Sequence, residues 1–268
     1  MTATRPPTGQ PAVRPRPSGA DAATGVGGVV LLVGTRVALW LGVQLLLVGL
    51  LVLGGGTAGG QPLNAVAAWW MVYGALVDLG TLGVIVWLLR RDGRSYRGLL
   101  GPPTPAWQVV FGAVGVLAAS VPAMVFSGEL TGALYGEGTA PMFAVVDVPP
   151  LASVFTVVVG PLLAELAELV AYLGVVLPRL ERRIGRAWIA APIVVVIWPA
   201  EHALYPLLVS DGGLDLRFAA YRVGSVLPFL AVWTALYYAL GRRLLPIMAA
   251  RWVFNGGTAL GLALGVVG

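Results

Sequence analysis

Long apolar runs, separated by short polar or arginine-bearing stretches, dominate the chain from about residue 29 onward. A helix needs about 20 predominantly apolar residues to cross the hydrocarbon core of a bilayer. Runs of that kind fall at roughly 29–53, 65–89, 107–127, 151–177, 187–209, 219–240 and 244–267. They are continuously apolar rather than alternating in units of about ten residues, which argues against a transmembrane β-barrel. The pattern predicts an all-α fold, a polytopic transmembrane helical bundle of about seven spans.

Composition agrees. The chain is 58% hydrophobic and only 11% charged, where a soluble domain carries about a quarter charged residues. The net charge of +5 invites a nucleic-acid reading, but the arginines gather at span ends, where they set topology. No nucleic acid is therefore expected as a partner; the bilayer is. Arg90, Arg91, Arg94 and Arg97 follow the second span, Arg179, Arg182, Arg183 and Arg186 the fourth, and Arg242 and Arg243 the sixth. The opposite loops hold Glu129, Glu137, Asp147, Asp211 and Asp215, with Arg217 in the minority. The positive-inside rule then predicts an N-in, C-out protein of the cell membrane, with Trp87, Trp107 and Trp188 at its inner boundary.

Residues 1–25, rich in Pro, Thr, Ala and Gly, read as a disordered cytoplasmic tail. The first apolar run starts too late and runs too long for a cleavable signal peptide. Residues 128–150 read as an outer loop with room for a short re-entrant piece, and the glycine-rich last span as a short or broken helix. No internal repeat or inverted pair of broken segments marks a secondary transporter.

Ionisable residues inside such runs cost at least about 2.5–3.5 kcal/mol each on insertion scales, so they mark function or paired charge. Glu165 and Glu168 are three apart on one helical face. Two carboxylates so close in low dielectric do not both ionise cheaply, and one that keeps its proton affinity can activate water. His202, the single histidine, follows Trp198 by one turn, with Pro199 loosening the helix between them. Glu201 points about 100° away from His202 on a helix and is expected to serve another contact or face the outer side. Arg251 and Asn255, four apart, share a face. The natural partner of Arg251 is Glu165 or Glu168, and the Asn255 amide can face a developing oxyanion or bond a neighbouring helix. Arg36 and Asp78 can pair across the first two spans, whereas Arg222 is placed to snorkel outward. With no cysteine and one histidine, no metal or other cofactor is expected. The chain has no HExxH, GxSxG or P-loop motif.

The order of an acidic helix, then Trp198-xxx-His202, then Arg251-xxx-Asn255, resembles the CPBP family of intramembrane proteins, which includes the CAAX prenyl endopeptidases. That family carries EExxxR, FxxxH and HxxxN or HxxxD on separate transmembrane helices. The resemblance covers roughly residues 150–260, with Gly160-Pro161 leading in, Leu177-Pro178-Arg179-Leu180 leading out and Phe254-Asn255-Gly256 in the last span. Counted from Pro161 the motif glutamates fall at Ala164 and Glu165; counted back from Pro178 they fall at Glu168 and Leu169. One glutamate is missing by either count, leucine stands for the motif arginine, and Arg251 stands for the second histidine. The likeness implies three regions: the tail 1–25, N-terminal transmembrane helices 26–145, and a CPBP-like core 146–268. It also implies a glutamate-activated water attacking a membrane-embedded or prenylated peptide or protein substrate. Glu168 or Glu165 would then be the base, His202 its assistant and Asn255 the oxyanion donor. Arg251 would either supply a cation in place of the second histidine or lock the glutamate in an ion pair. In the latter case the chain is a catalytically degenerate relative, a membrane scaffold or partner-binding protein.

Overall fold

A computed structural model describes residues 19–54, 70–101, 103–136, 158–203 and 216–263. Among these the ordered elements are all helices: α1 (Gly19–Leu53), α2 (Trp70–Arg91), the single turn α3 (Tyr96–Leu99) and α4 (Ala106–Tyr135). A long compound helix follows, made of α5 (Gly160–Ala164), a widened π-type stretch π1 (Glu165–Val176) and α6 (Leu177–Ile184). The chain continues through α7 (Ala187–His202), α8 (Leu216–Ala239) and α9 (Leu245–Ala263). Helices are what such apolar segments must form, since in lipid every backbone N–H and C=O has to be satisfied within the segment.

Among the described residues, five segments are long and apolar enough to cross a membrane: Gly25–Leu53, Val72–Arg91, Ala106–Tyr135, Gly160–Ile184 and Leu216–Ala239. The apolar runs expected at 187–209 and 244–267 correspond to α7 and α9; the rest of those runs lies outside the described residues. So do most of the expected tail and most of the outer loop at 128–150. Where that loop is described, it is helix instead. α4 carries Glu129 onward to Tyr135 and ends at Gly136, whose φ of 70° suits glycine. Pro122 inside α4 does not stop it.

Helix Gly160–Ile184 is the axis of the bundle. Its apolar window is 78% buried, against 17% for α1, because α1, α2, α3, α6, α7 and α9 all contact α5 or π1. Side chains of π1 from Leu169 to Val176 are buried in succession, so this helix has no lipid face there. Around it, α4 packs on α8 and α9, α8 on α7, and α1 on α2. Gly112 permits the α4–α9 crossing, since a Cβ there would lie 2.8 Å from Cβ of Pro246. Outward-facing Val110, Phe111, Val114, Val121 and Val125 leave α4 with an apolar exterior fit for lipid.

The arginine-rich end is tied by ion pairs. Arg179 reaches Asp92 at 2.5 Å, and Arg242 reaches Glu181 at 2.7 Å. Tyr238 donates to the same Glu181 at 2.6 Å, and Arg243 donates to Gln108 at 2.6 Å. Trp87, Trp107 and Trp188 are exposed at this end, with Arg91 and Arg186 over the rings of Trp87 and Trp188.

Candidate functional site

The polar interior lies where π1, α7 and α9 meet, with α1 and α2 closing one side. Glu165 and Glu168 open the π1 stretch. π-type turns are rare and recur at functional sites, because shifting the ladder re-aims side chains that an α-helix would space differently. Tyr96 of α3 donates to the Leu166 carbonyl at 2.5 Å, fastening this stretch from outside. At its far end Pro178, which has no N–H to donate, sits in the first turn of α6, where the ladder is α-helical again.

Glu168 is buried and has donors on both oxygens. The Trp198 indole N–H donates to Oε1, and Nε2 of His202 lies 3.5 Å from that same oxygen. Nη2 of Arg251 reaches Oε2 at 3.4 Å. His202 Nδ1 lies 3.3 Å from the Trp198 carbonyl, an acceptor only, so this bond requires the proton on Nδ1. In neutral imidazole Nε2 is then an acceptor facing a carboxylate oxygen. Glu168 and His202 thus form a dyad, an ion pair whenever the imidazole is protonated.

Glu165 is also buried; its Oε1 accepts from Asn255 Nδ2 at 3.1 Å and lies 3.3 Å from Arg251 Nε. Arg251 therefore bridges both glutamates. Its guanidinium also sits over two indole rings, 5.3 Å from the Trp198 centroid and 4.8 Å from that of Trp233, contacts that strengthen when desolvated. Ser120 holds Trp233 through its indole N–H at 3.1 Å. Three polar atoms in the cluster are buried without a hydrogen-bond partner: Oε2 of Glu165, and Nε and Nη1 of Arg251, of which Nε has only its ion-pair contact with Glu165 and Nη1 is unspent. Asn255 has a second amide N–H beyond the one given to Glu165.

All five residues singled out from the sequence, Glu165, Glu168, His202, Arg251 and Asn255, thus meet in one cluster. Glu201 does not face the outer side; it makes its own contacts beside the dyad, with a carboxylate oxygen within 4.8 Å of the Glu168 and His202 ligand atoms. It accepts from Arg36 and from Tyr172. Arg36 pairs with Asp78 at 3.0 Å across α1 and α2, and with Glu201 as well. Arg222 does not snorkel: its residue is 9% exposed, on the α8 face that also buries Phe218, Ser225 and Phe229. Tyr172 and the Arg36–Glu201 contact were not read from sequence. A tyrosine in an apolar helix reads as core, although its spacing of four from Glu168 was a usable signal.

Glu168, Glu201 and His202 each present a ligand atom, all within 4.8 Å of one another, a donor set a divalent cation can take. The same carboxylates already carry Arg36, Tyr172, Trp198 and Arg251. A cation would have to displace guanidinium contacts to bind there.

No family model, curated protein or solved structure matches this chain. The geometry of the cluster is what carries a functional argument.

Proposed function

We propose that the chain is a CPBP-type protein of the cell membrane, N-in and C-out with about seven spans, whose buried cluster hydrolyses a peptide bond within the bilayer. The observation that carries this reading is the Glu168–His202 dyad, a carboxylate and an imidazole 3.5 Å apart. In the proposed step, Glu168 takes a proton from water as the water oxygen bonds to the peptide carbonyl carbon, and His202 assists. The second amide N–H of Asn255 and the unspent Nη1 of Arg251 supply donors for the oxyanion. The C–N bond then breaks, and the proton passes to the leaving amine. A membrane-embedded or prenylated peptide is the substrate class.

The test is cleavage of such a peptide by the protein in liposomes. Removing a general acid or base lowers turnover by about 10²–10⁴-fold, so Glu168→Gln, Glu165→Gln and His202→Ala are expected to lose activity while still accumulating in the membrane. Equal turnover by wild type and all three variants would overturn the reading.

One observation favours the alternative of a non-catalytic scaffold or partner-binding protein: both Glu168 oxygens already hold donors, one of them Arg251. On that reading wild type and Arg251→His are both inert. Cleavage by either excludes it.

A further inference from the structure

Arg36 of α1 is 1% exposed and spends its guanidinium on three side chains from two other helices. Nε lies 3.1 Å from each Glu201 oxygen and Nη2 2.9 Å from Oε1. Nη1 donates to Asp78 at 3.0 Å and to Thr81 at 3.2 Å. Thr81 is itself committed, donating to the Val77 carbonyl at 2.8 Å, so only its acceptor side faces Arg36. Both guanidinium edges are thereby fixed in direction, and Glu201 with them.

What Glu201 does with its other oxygen leads back to the dyad. Tyr172 donates to Oε2 at 2.7 Å. The Tyr172 ring lies nearly parallel to the Trp198 indole, with centroids 4.9 Å apart and planes at 11°. Trp198 then donates its N–H to Glu168. A rotation of Tyr172 about its ring axis would break one contact and a tilt the other, so the pair of contacts pins the indole plane. The indole N–H can aim at Glu168 only while that plane is held.

We propose that Arg36 is the positioning residue of the acidic cluster. By fixing Glu201 it seats Tyr172 against Trp198 and so directs the Trp198 N–H at Glu168, which sets the oxygen that faces His202. Lysine cannot replace it: a single ammonium cannot span Glu201 on one edge and Asp78 with Thr81 on the other, as the planar fork does. This proposal rests on Glu168 being the working carboxylate, but its experiment reads geometry rather than turnover.

The experiment uses the full chain in detergent micelles with indole-¹⁵N tryptophan. The Trp198 resonance is the one lost in Trp198→Phe. Glu168→Gln is expected to move its N–H proton upfield as a charge-assisted bond becomes a neutral one. Arg36→Lys, Glu201→Gln and Tyr172→Phe are expected to move it in the same direction, and Arg36→Gln further than Arg36→Lys. A purely structural Arg36 would instead lower the unfolding temperature and leave the Trp198 resonance of the folded protein in place, which overturns the proposal. Should Arg36→Gln fail to fold, Tyr172→Phe still decides, since it removes one hydroxyl and keeps the ring stack; an unmoved resonance there also overturns it. If the resonance responds but no form of the protein cleaves a peptide, positioning stands and the hydrolytic reading falls.

Discussion

Arg251 on α9 lies 3.4 Å from Glu168 on π1, the carboxylate that also faces the histidine. The same guanidinium holds Glu165 at 3.3 Å. Breaking a buried ion pair from one side costs about 3–5 kcal/mol, because the abandoned charge stays in low dielectric. Arg251→Met is therefore expected to destabilise the protein by that order, and Glu168→Gln to offset part of the loss. A double-mutant cycle by unfolding in mixed micelles should give a coupling of about 0.5–3 kcal/mol. Strictly additive losses would mean that the pair contributes nothing.

Arg251→His has a different expected outcome for chemistry. Imidazole in place of the bridging guanidinium takes away the Nη1 donor proposed for the oxyanion, and loss of one such donor costs about 10²–10³ in turnover. Cleavage of a membrane peptide is expected to fall by that order. Turnover equal to wild type would show that Arg251 gives the oxyanion no donor.

Two glycines of α4 separate packing from helix propensity. Gly115 has open space where a Cβ would go, while at Gly112 that atom meets Pro246 at 2.8 Å. A glycine-to-alanine change inside a helix gains about 1 kcal/mol when nothing else intervenes, and overpacking costs about 1–3 kcal/mol. Gly115→Ala should be neutral or stabilising in thermal unfolding and Gly112→Ala destabilising. Equal effects would place the α4–α9 contact elsewhere.

The chain has no cysteine, so single-cysteine variants read topology without background. Ser95 lies at the arginine-rich end and Ala133 near the opposite end of α4. With the arginine end inside, a membrane-impermeant maleimide on intact cells should label Ala133→Cys and spare Ser95→Cys. The reverse pattern would overturn the proposed orientation.

The helices and the polar residues inside them were legible in the sequence because charge in an apolar run is a strong signal. Arg36 pairs with Asp78, and Arg251 with both glutamates, as opposite charges in a shared low-dielectric interior must. Less legible was anything that depends on ladder geometry. No proline or glycine between Glu165 and Leu173 announces the π-type widening, so the facing of the two glutamates could not be computed from a regular period. Of the two directions open to Glu201 the structure has the other contact and not the outer side, and its partner could not be named from its neighbours because it sits 165 residues away on α1. Arg222 was assigned to water by its nearness to a helix end, but the aromatic face of α8 carries it inward. The length of α4 was cut short at an acidic residue, and one exposed Glu129 does not stop a helix.

The distance along the chain between Arg36 and its two acids has a consequence for biosynthesis. Asp78 leaves the ribosome 42 residues after Arg36, and Glu201 only 165 residues after it. During translation the arginine therefore meets its first counter-charge in the very next hydrophobic segment. The opening hairpin can enter the lipid as a neutral unit and wait for the later segment to claim the remaining edge of the guanidinium. A nascent chain carrying Asp78→Leu would have to hold that charge alone for most of its synthesis. Its first segment should then be retained less efficiently by the insertion machinery, as glycosylation mapping of truncated chains would report.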